Sequence, residues 1–363
     1  MLHRINKAHP AIWVNPSTLQ IGLGSQAVRL SEITAGEQQL IAALYSGIVS
    51  GQEKVLEESN GEQPGATSEL MSRLGTLVTS SETKNFGSWN ELGFAEIARA
   101  SLDYQVNGEM VLAERWQRKV HIDQIDKTGL LMTKALLASG IGEVITHDSG
   151  LVLNTDLGEL GFPKSNYNSA RVASAQEILR GLDLTSHSKA RLTNLQQKSV
   201  RDVKVSFAVT VGHLAQSPRT YSRWLARDIQ HIAITYQQNC VEVSPIVIPG
   251  LTACLNCYQE YLVDTDLAWP VLASQLLQLP RIRDDAASLL TATGLAVRSI
   301  LRSVDEQAGF EYQNDEEEIF RLGYRVDYAT GSITRLKFDK HSLCSCTKFS
   351  QLETGTDSGN YLD

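Results

Sequence analysis

The feature that most constrains this chain is a regular alternation of short apolar runs with amphipathic segments in its central part. The apolar runs lie at 119–122, 143–148, 203–209 and 231–234. The segments between them carry apolar residues at helical spacing. Strands that alternate with helices of roughly 10–15 residues are typical of a parallel sheet with crossover helices. We therefore expect an α/β protein with a mostly parallel sheet. A long amphipathic helix follows at 284–304 and packs either on this sheet or at a subunit interface.

The first 85 residues are expected to form a separate α+β module. Short strand-like runs at 11–14 and 19–23 precede a helix that should begin near Thr34. Thr34 and Glu37 have the spacing of a capping box, in which each residue bonds the backbone amide of the other. Strands together with two or three short helices within about 80 residues predict a winged-helix-like module. Residues 50–67 are rich in Gly, Glu, Gln and Ser and are expected to form a loop.

The complete domain plan has four parts. It comprises the module at 1–85, a helical linker at 86–114, the α/β domain at 115–350 and a flexible tail at 351–363.

Four of the five cysteines form two close pairs about ninety positions apart. Cys254 and Cys257 form a C-x-x-C, and Cys344 and Cys346 form a C-x-C. Two such pairs on separate loops fit a tetrathiolate zinc site, which is structural because four thiolates leave no position for water. The alternatives are a redox C-x-x-C, which has no need of the second pair, and cysteines that simply lie in the core. Cys240 is left over and is expected to be a small buried hydrophobe.

The turn after the first strand of the α/β domain is where a dinucleotide or ATP fold carries its glycines. Here only Gly129 is present, and Asp123 and Asp126 place negative charge at the start of the helix. These carboxylates favour a capped helix start over phosphate binding. Asp148, about twenty residues beyond Gly129, stands where an acidic residue would bind a ribose hydroxyl.

Composition excludes several classes of function. Lysine and arginine number 33 against 41 aspartates and glutamates, so the formal net charge is −8 and no broad cationic surface is expected for nucleic acid. No run reaches the roughly 18 apolar residues of a membrane span, and no secretory signal opens the sequence. A cytoplasmic protein with no membrane or nucleic-acid partner is expected.

Two stretches of the chain resemble the superfamily of ubiquitin-activating enzymes and ThiF, MoeB and HesA adenylyltransferases. Residues 138–148 are similar to the family's glycine-containing strand that ends in an aspartate, and residues 249–257 are similar to its zinc knuckle. The resemblance covers about two thirds of the chain and implies a Rossmann-like ThiF-type sheet. Residues 264–276 and 341–346 resemble a divergent bacterial branch that includes ThiF-like partners of azole-forming cyclodehydratases. In that branch an N-terminal winged-helix-like module binds leader peptides during the biosynthesis of modified peptides.

Several positions depart from an active member of this family. Two loop glycines fall on Gln124 and Asp126, the asparagine position on Asp156 and the arginine position on Glu159. The lysine position falls on Arg171, which keeps the charge but not the compact ammonium. No carboxylate stands at 209–213, where the resemblance places the magnesium-binding aspartate. Adenylylation needs cations around the transferring phosphoryl group, so the sequence predicts that ATP and magnesium chemistry is lost.

Three functions remain open from the sequence. The first is a non-catalytic ThiF-like protein that holds a structural zinc and binds a peptide and a partner enzyme of the cyclodehydratase type. The second is an active adenylyltransferase that activates a carboxylate with ATP through Gly129, Asp148 and Arg171. The third and least favoured is a winged-helix nucleic-acid binder, because residues 1–30 carry only three lysines and arginines.

The peptide is expected to pair with the edge of the small sheet. This prediction places the contact at 19–23, through Leu19, Ile21 and Leu23. Core packing is the alternative role for the apolar residues there. Homodimerisation is implied by the resemblance.

Overall fold

The described residues of this computed structural model form two compact units. The first contains residues up to Arg115 and residues 308–312, and the second begins at Trp116. The described ranges are 1–24, 27–81, 93–182, 191–195, 203–281, 285–312 and 322–346. The tail predicted at 351–363 lies outside them.

The first unit contains two small antiparallel sheets and five α-helices in its described part. Its elements are β1 (Leu2–Ile5), β2 (Ala11–Asn15), β3 (Thr18–Ile21), β4 (Val28–Ser31), α1 (Ala35–Ser46), β5 (Ile48–Val49), α2 (Glu53–Ser59), α3 (Ala66–Leu74), β6 (Val78–Ser81), α4 (Phe94–Tyr104) and α5 (Gly108–Trp116). One sheet has the order β5-β1-β6 and the other the order β2-β3-β4. The winged-helix-like assignment of this unit stays a prediction.

The helix predicted from Thr34 is present with its capping box. The Thr34 hydroxyl accepts a hydrogen bond from the amide of Glu37 at 2.9 Å, and the Glu37 carboxylate accepts one from the Thr34 amide at 3.0 Å. Leu40, Ile41 and Leu44 of α1 are buried in the core of the unit. The helix forms because these local signals and the core contacts agree.

Two stretches of the first unit differ from their sequence-based predictions. Residues 50–67, predicted as a loop, contain α2 and the start of α3. Glu57 of α2 is buried and accepts hydrogen bonds from the amides of Gly65 and Thr67, so α2 is anchored by a buried polar contact rather than by an apolar stripe. Residues 86–114 are predicted as a helical linker; their described part, from residue 93, is helical in α4 and α5 and belongs to this compact unit.

The second unit is built on one large mixed sheet. Its described elements are β7 (Lys119–Ile122), α6 (Lys127–Ala138), β8 (Glu143–Thr146), α7 (Arg171–Arg180), β9 (Arg191–Asn194), β10 (Phe207–His213), α8 (Pro218–Leu225), β11 (His231–Tyr236), β12 (Cys240–Val243), α9 (Leu255–Thr265), α10 (Trp269–Leu276), α11 (Ala286–Gln307), β13 (Gly323–Asp327) and β14 (Ile333–Leu336).

The order of the strands is β14-β13-β12-β11-β10-β7-β8-β9. The strands from β11 to β9 in this order are parallel, and β12, β13 and β14 add antiparallel strands next to β11. The predicted mostly parallel α/β sheet is thus confirmed. The strand order reverses between β7 and β10, and ligands of open α/β sheets bind at such a switch point.

The long helix α11 packs on the sheet. Leu289, Ala292 and Ile300 are completely buried in the main core together with residues of β11, β12 and β13. The sequence left open whether this helix packs on the sheet or at a subunit interface. The face that carries these residues packs on the sheet. Among the described residues, no helix combines the length and apolar character that crossing a lipid bilayer requires.

Candidate functional site

The turn between β7 and α6 is closed by its own side chains. Asp126 is the N-cap of α6, and its Oδ1 accepts a hydrogen bond of 3.0 Å from the amide of Gly129. A Cβ added to Gly129 would lie 2.0 Å from the carbonyl oxygen of Gln124. The glycine therefore allows the turn to approach the helix closely. The helix-terminal amide that a phosphate would bind is already occupied by Asp126.

Asp148, which follows β8, uses both of its carboxylate oxygens inside the protein. Its Oδ2 accepts a hydrogen bond of 2.7 Å from the amide of Ile125. Its Oδ1 accepts bonds from the amide of Gly150 at 2.8 Å and from Nη2 of Arg171 at 2.9 Å. The Asp148 side chain is only 4% exposed. A ribose hydroxyl would have to displace one of these donors to reach the carboxylate.

Arg281 brings a second guanidinium to the start of α6. Its Nη1 lies 3.0 Å from Oδ2 of Asp126 and 3.8 Å from Oδ1 of Asp156, and its Nη2 donates to the side chain of Gln124. Arg171 Nη1 lies 3.8 Å from Oδ2 of Asp156. We call Asp126, Asp148, Asp156, Arg171 and Arg281 the arginine–aspartate network. Its formal charge is −3 + 2 = −1.

The two aspartates that face Arg281 have opposite pKa shifts. Burial would raise the pKa of Asp126, but the nearby His213 ring and the charge of Arg281 lower it to about 2. Burial raises the pKa of Asp156 above its ordinary value, and this effect outweighs the hydrogen bond from the amide of Leu153. Asp126 therefore remains ionised across the physiological range and keeps Arg281 in place.

His213 ends β10 at the place where the resemblance put a magnesium-binding aspartate. Its Nε2 lies 3.8 Å from Oδ2 of Asp126, and its ring stacks on Tyr236 with the centroids 5.3 Å apart. An imidazole is not a ligand that magnesium prefers, since this ion selects oxygen donors. The residues present here do not fit a bound magnesium ion in the way the family pattern requires.

Asp123 belongs to a different buried polar cluster and does not cap α6. Its carboxylate pairs with Arg223, and its Oδ1 lies 3.5 Å from Nδ1 of His121. The Nε2 of His121 lies 3.0 Å from Nδ1 of His147. Burial raises the pKa of Asp123 to about 7 in spite of Arg223, and burial holds the pKa of His121 well below its ordinary value. The cluster therefore contains a neutral histidine next to a carboxylate that titrates near neutral pH.

The four paired cysteines come together at one point. The Sγ atoms are 3.8 Å apart for Cys254 and Cys257, 3.6 Å for Cys254 and Cys344, and 3.3 Å for Cys257 and Cys346. All four sulfur atoms lie within 4.8 Å of one another. Four sulfurs about 2.3 Å from one tetrahedral ion would be about 3.8 Å apart. The cluster can therefore hold a metal ion, as the spacing of the cysteines predicted.

Burial disfavours the thiolate form in most of this cluster when no cation is bound. Burial raises the pKa of the Cys254 thiol above its ordinary value and that of Cys346 to about 12. Metal ligation requires the thiolate form, and a metal ion supplies the positive charge that stabilises four thiolates in one buried place. Cys240 lies elsewhere, at the start of β12, where burial raises the pKa of its thiol.

His341 anchors the loop that carries the second cysteine pair. Its Nε2 lies 2.9 Å from Oδ2 of Asp264 in α9, and its Nδ1 accepts from the amide of Leu343 at 3.2 Å. Its carbonyl oxygen accepts from the amide of Cys344 at 3.0 Å. The loop is thus positioned for ligation by contacts other than the cysteines themselves.

Several solved structures share this architecture over almost their whole length. E. coli MccB with ATP has a TM-score of 0.63 at 13% sequence identity, and E. coli MccB with AMPCPP and MccA has 0.65 at 13%. Both comparisons cover 95% of this chain and 99% of the other. The fold is that of MccB. PaaA is similar as well, with a TM-score of 0.64, 14% identity and coverage of 92% of this chain and 99% of PaaA.

No family model and no curated protein matches the sequence. The structural likeness supports the ThiF-type resemblance at the level of the fold. The assignment to a divergent bacterial branch stays a prediction.

The structure brings two of the three predicted nucleotide-site residues into direct contact. Asp148 and Arg171 form an ion pair, and Gly129 contacts the network through Asp126. Glu159, which was expected to add negative charge to this site, is exposed and is not a member of the network. Sequence reasoning missed Arg281, because no motif or spacing connects this residue with Asp126, 155 positions earlier. A nucleotide-binding role for these residues stays a prediction.

Proposed function

We propose that this chain binds a peptide through its first unit and presents it to a partner enzyme without ATP chemistry of its own. The observation that carries this proposal is the arginine–aspartate network. It occupies the Asp148 carboxylate and the amide of Gly129 near the start of α6, which are the groups where the sequence resemblance places a nucleotide. An ATP molecule would have to break two buried ion pairs and add its phosphates to a network that already has a net negative charge.

The test of the lost ATP site is a calorimetric titration with ATP and magnesium, with pyrophosphate exchange measured on the same sample. We expect no saturable heat up to millimolar ATP and no exchange above background, because the network opposes both the ribose and the phosphates. E. coli MccB is the positive control. An Arg281→Gln variant should also fail, since Asp126 and Asp148 keep their backbone donors.

The second candidate function is an active adenylyltransferase. The fold of MccB, whose structures include ATP and AMPCPP, favours it. Micromolar ATP binding together with exchange would establish this function and overturn the proposal of a non-catalytic protein.

The peptide is proposed to contact the sheet formed by β2, β3 and β4. β3 is the central strand, and its Leu19 and Ile21 are 4% and 0% exposed in the core. These two side chains therefore pack inside the unit, and β3 has no edge for an added strand. Leu23 lies beyond β3 and is 66% exposed. Peptide pairing at this sheet must use an outer strand.

β2 has the features of such a strand. All five of its residues are exposed, including Ile12, Trp13 and Val14 at 44%, 44% and 51%. Within the described residues it pairs on one side only, with β3. An apolar outer strand with an unpaired backbone is a template for an added strand. We therefore place the peptide along β2, where backbone bonds provide affinity and the exposed side chains provide selectivity.

The register identifies the backbone groups available to the peptide. The amide of Gly22 donates to the carbonyl of Pro10, and Ile12 lies opposite Gln20. Because bonded and non-bonded pairs alternate in an antiparallel ladder, Ile12 bonds β3 while Ala11 and Trp13 direct their amides away from it. Ala11 and Trp13 are thus the positions at which an added strand would bond.

Two substitutions in β2 separate the contribution of the backbone to peptide binding from that of the side chains. Peptides are first selected for binding to the intact protein from a displayed library of linear peptides. Ala11→Pro removes an outward amide and should weaken the selected peptides by about tenfold. Trp13→Ala removes a central aromatic contact and should weaken them by about thirtyfold.

Val55→Ala is the matched control, because Val55 is an exposed apolar residue of α2 in the same unit. Affinities are measured by fluorescence anisotropy. Unchanged binding by both β2 variants, with their fold intact, would show that the peptide does not bind along β2.

Further parts of the proposal concern the metal and the partners. We propose zinc as the ion of the cysteine cluster, in a structural role that holds the residues around Cys344 and Cys346 against α9. The partner enzyme is proposed to be of the cyclodehydratase type, and the chain is proposed to be a homodimer. The partner proposal rests on the resemblance of residues 264–276 and 341–346, and the homodimer proposal rests on the ThiF-type resemblance as a whole.

A further inference from the structure

The first unit contains a cavity that peptide docking along β2 does not use. Its volume is about 470 Å³, and its walls come from β1, the turn after β1, β6, α4 and the start of α5. This volume lies within the range of pockets that bind small molecules. Phe94 and Ile97 provide an apolar wall, and Phe94 is 47% exposed, so the cavity is open to solvent.

Arg4 is a lining residue whose hydrogen bonds are incomplete. Its Nη1 lies 3.5 Å from Oε1 of Glu109 and its Nη2 lies 3.4 Å from the carbonyl oxygen of Ser46, both at the outer limit of a hydrogen bond. Its Nε is buried and has no hydrogen-bond partner among the described residues. The two Nη groups, which make only these long contacts, can therefore donate further hydrogen bonds to an acceptor in the cavity.

The charges around the cavity favour an anion. Arg4 and Lys7 contribute two positive charges and Glu109 one negative charge, so the lining carries a formal charge of +1. In the part of the chain that the structure describes, Lys7 has neither a hydrogen bond nor an ion pair through its ammonium group. Glu109 holds one side of Arg4 and leaves one positive charge to be neutralised by a ligand.

The polar residues on the opposite wall are already used by the fold. The Asn6 side chain donates to the carbonyl oxygen of Ala98 at 2.9 Å and accepts from the amide of Ala8 at 3.0 Å. The Ser101 hydroxyl donates to the carbonyl of Ile97 and accepts from the amide of Gly108. The hydrogen bonds of Asn6 and Ser101 therefore shape the cavity. Selection of a ligand is left to the cations Arg4 and Lys7 and to the apolar wall of Phe94 and Ile97.

We propose that this cavity binds an organic monoanion that carries a carboxylate on a short apolar chain. The carboxylate would accept from Arg4, whose planar fork suits two parallel bonds, and would face Lys7 as a second cation. The apolar chain would lie against Phe94 and Ile97. The same chemistry is presented by a free carboxylic acid and by the C-terminal end of an apolar peptide.

The test follows the methyl resonance of Ile97 in the intact protein labelled at its isoleucine methyl groups. The probes are hexanoate as a free acid, N-acetyl-leucine as a peptide end, and hexanamide as an uncharged analogue. We expect a saturable shift with at least one of the two carboxylates and affinity at least about tenfold weaker for hexanamide. The carboxylate that binds more tightly identifies the source of the natural ligand.

Variants assign the effect to this cavity. Arg4→Gln should weaken the carboxylate at least about tenfold, and Lys7→Gln should weaken it by a smaller factor because Lys7 is more exposed. Arg99→Gln is the control, because Arg99 is an exposed arginine of α4 that pairs with Asp103 and does not line the cavity. Lys7→Gln keeps the test decisive if Arg4→Gln does not fold.

Three results would each overturn the proposal. They are no saturable shift with either carboxylate, equal binding of hexanamide, and unchanged affinity in folded Arg4→Gln and Lys7→Gln proteins. The proposal does not rest on the peptide function, since none of the lining residues belongs to β2. Loss of binding in the β2 variants and loss of binding in the cavity variants are therefore independent results.

Discussion

A Cys257→Ser protein is expected to lose the proposed zinc ion and at least about 4–5 kcal/mol of unfolding free energy. Cys257 is completely buried and its sulfur lies closest to that of Cys346, so its loss removes the ligand that the first turn of α9 contributes. Elemental analysis should find one zinc per chain in the wild type and none in the variant. Urea unfolding measures the free energy of unfolding of both proteins.

Cys240→Ser is the control for this substitution. Cys240 is buried at the start of β12 and is not a member of the cysteine cluster, so this variant should keep its zinc. Treatment of the wild type with a chelator should reproduce the destabilisation of Cys257→Ser. Wild-type protein without zinc, with four thiols that titrate freely, would refute the metal assignment.

An Arg171→Met substitution is expected to lower the free energy of unfolding by about 3–5 kcal/mol at pH 7. Arg171 is buried with Asp148 at 2.9 Å and Asp156 at 3.8 Å, and its removal leaves two buried carboxylates with less compensating charge. Methionine keeps much of the volume, so the loss reports mainly the charge. Urea unfolding at pH 7 provides the measurement.

Two further proteins separate the charge effect from packing. Arg180→Met changes an exposed arginine in the last turn of the same helix and should stay within about 0.5 kcal/mol of the wild type. Asp148→Asn combined with Arg171→Met removes one of the uncompensated charges and should recover part of the lost stability. A loss for Arg171→Met as small as for Arg180→Met would mean that the network does not stabilise the fold.

Some predicted strands and helices were correct in kind but displaced along the chain. The strand predicted at 203–209 is β10, which extends from Phe207 to His213. The apolar run alone does not set these limits, because β10 pairs with β7 at one end and continues along β11 to the pair of His213 and Tyr236. The strands β12, β13 and β14 were not predicted, because their short runs form strands only through antiparallel pairing with distant parts of the chain.

The sequence by itself determined the features that depend on near neighbours. The capping box at Thr34, the strand β7 and the close spacing within each cysteine pair follow from residues within a few positions of one another, where local bonding and periodicity decide the conformation. The alternation of runs and helices also determined the class of the sheet.

Only the tertiary structure decided which distant side chains meet. It placed Arg281 on Asp126, put β3 rather than β2 in the middle of its sheet, and directed the face of α11 that carries Leu289 and Ile300 into the core. These outcomes depend on chain crossings and on competition for buried partners. A local pattern does not contain that information, because the free energy of a buried ion pair or an outer strand is set by neighbours far away in sequence.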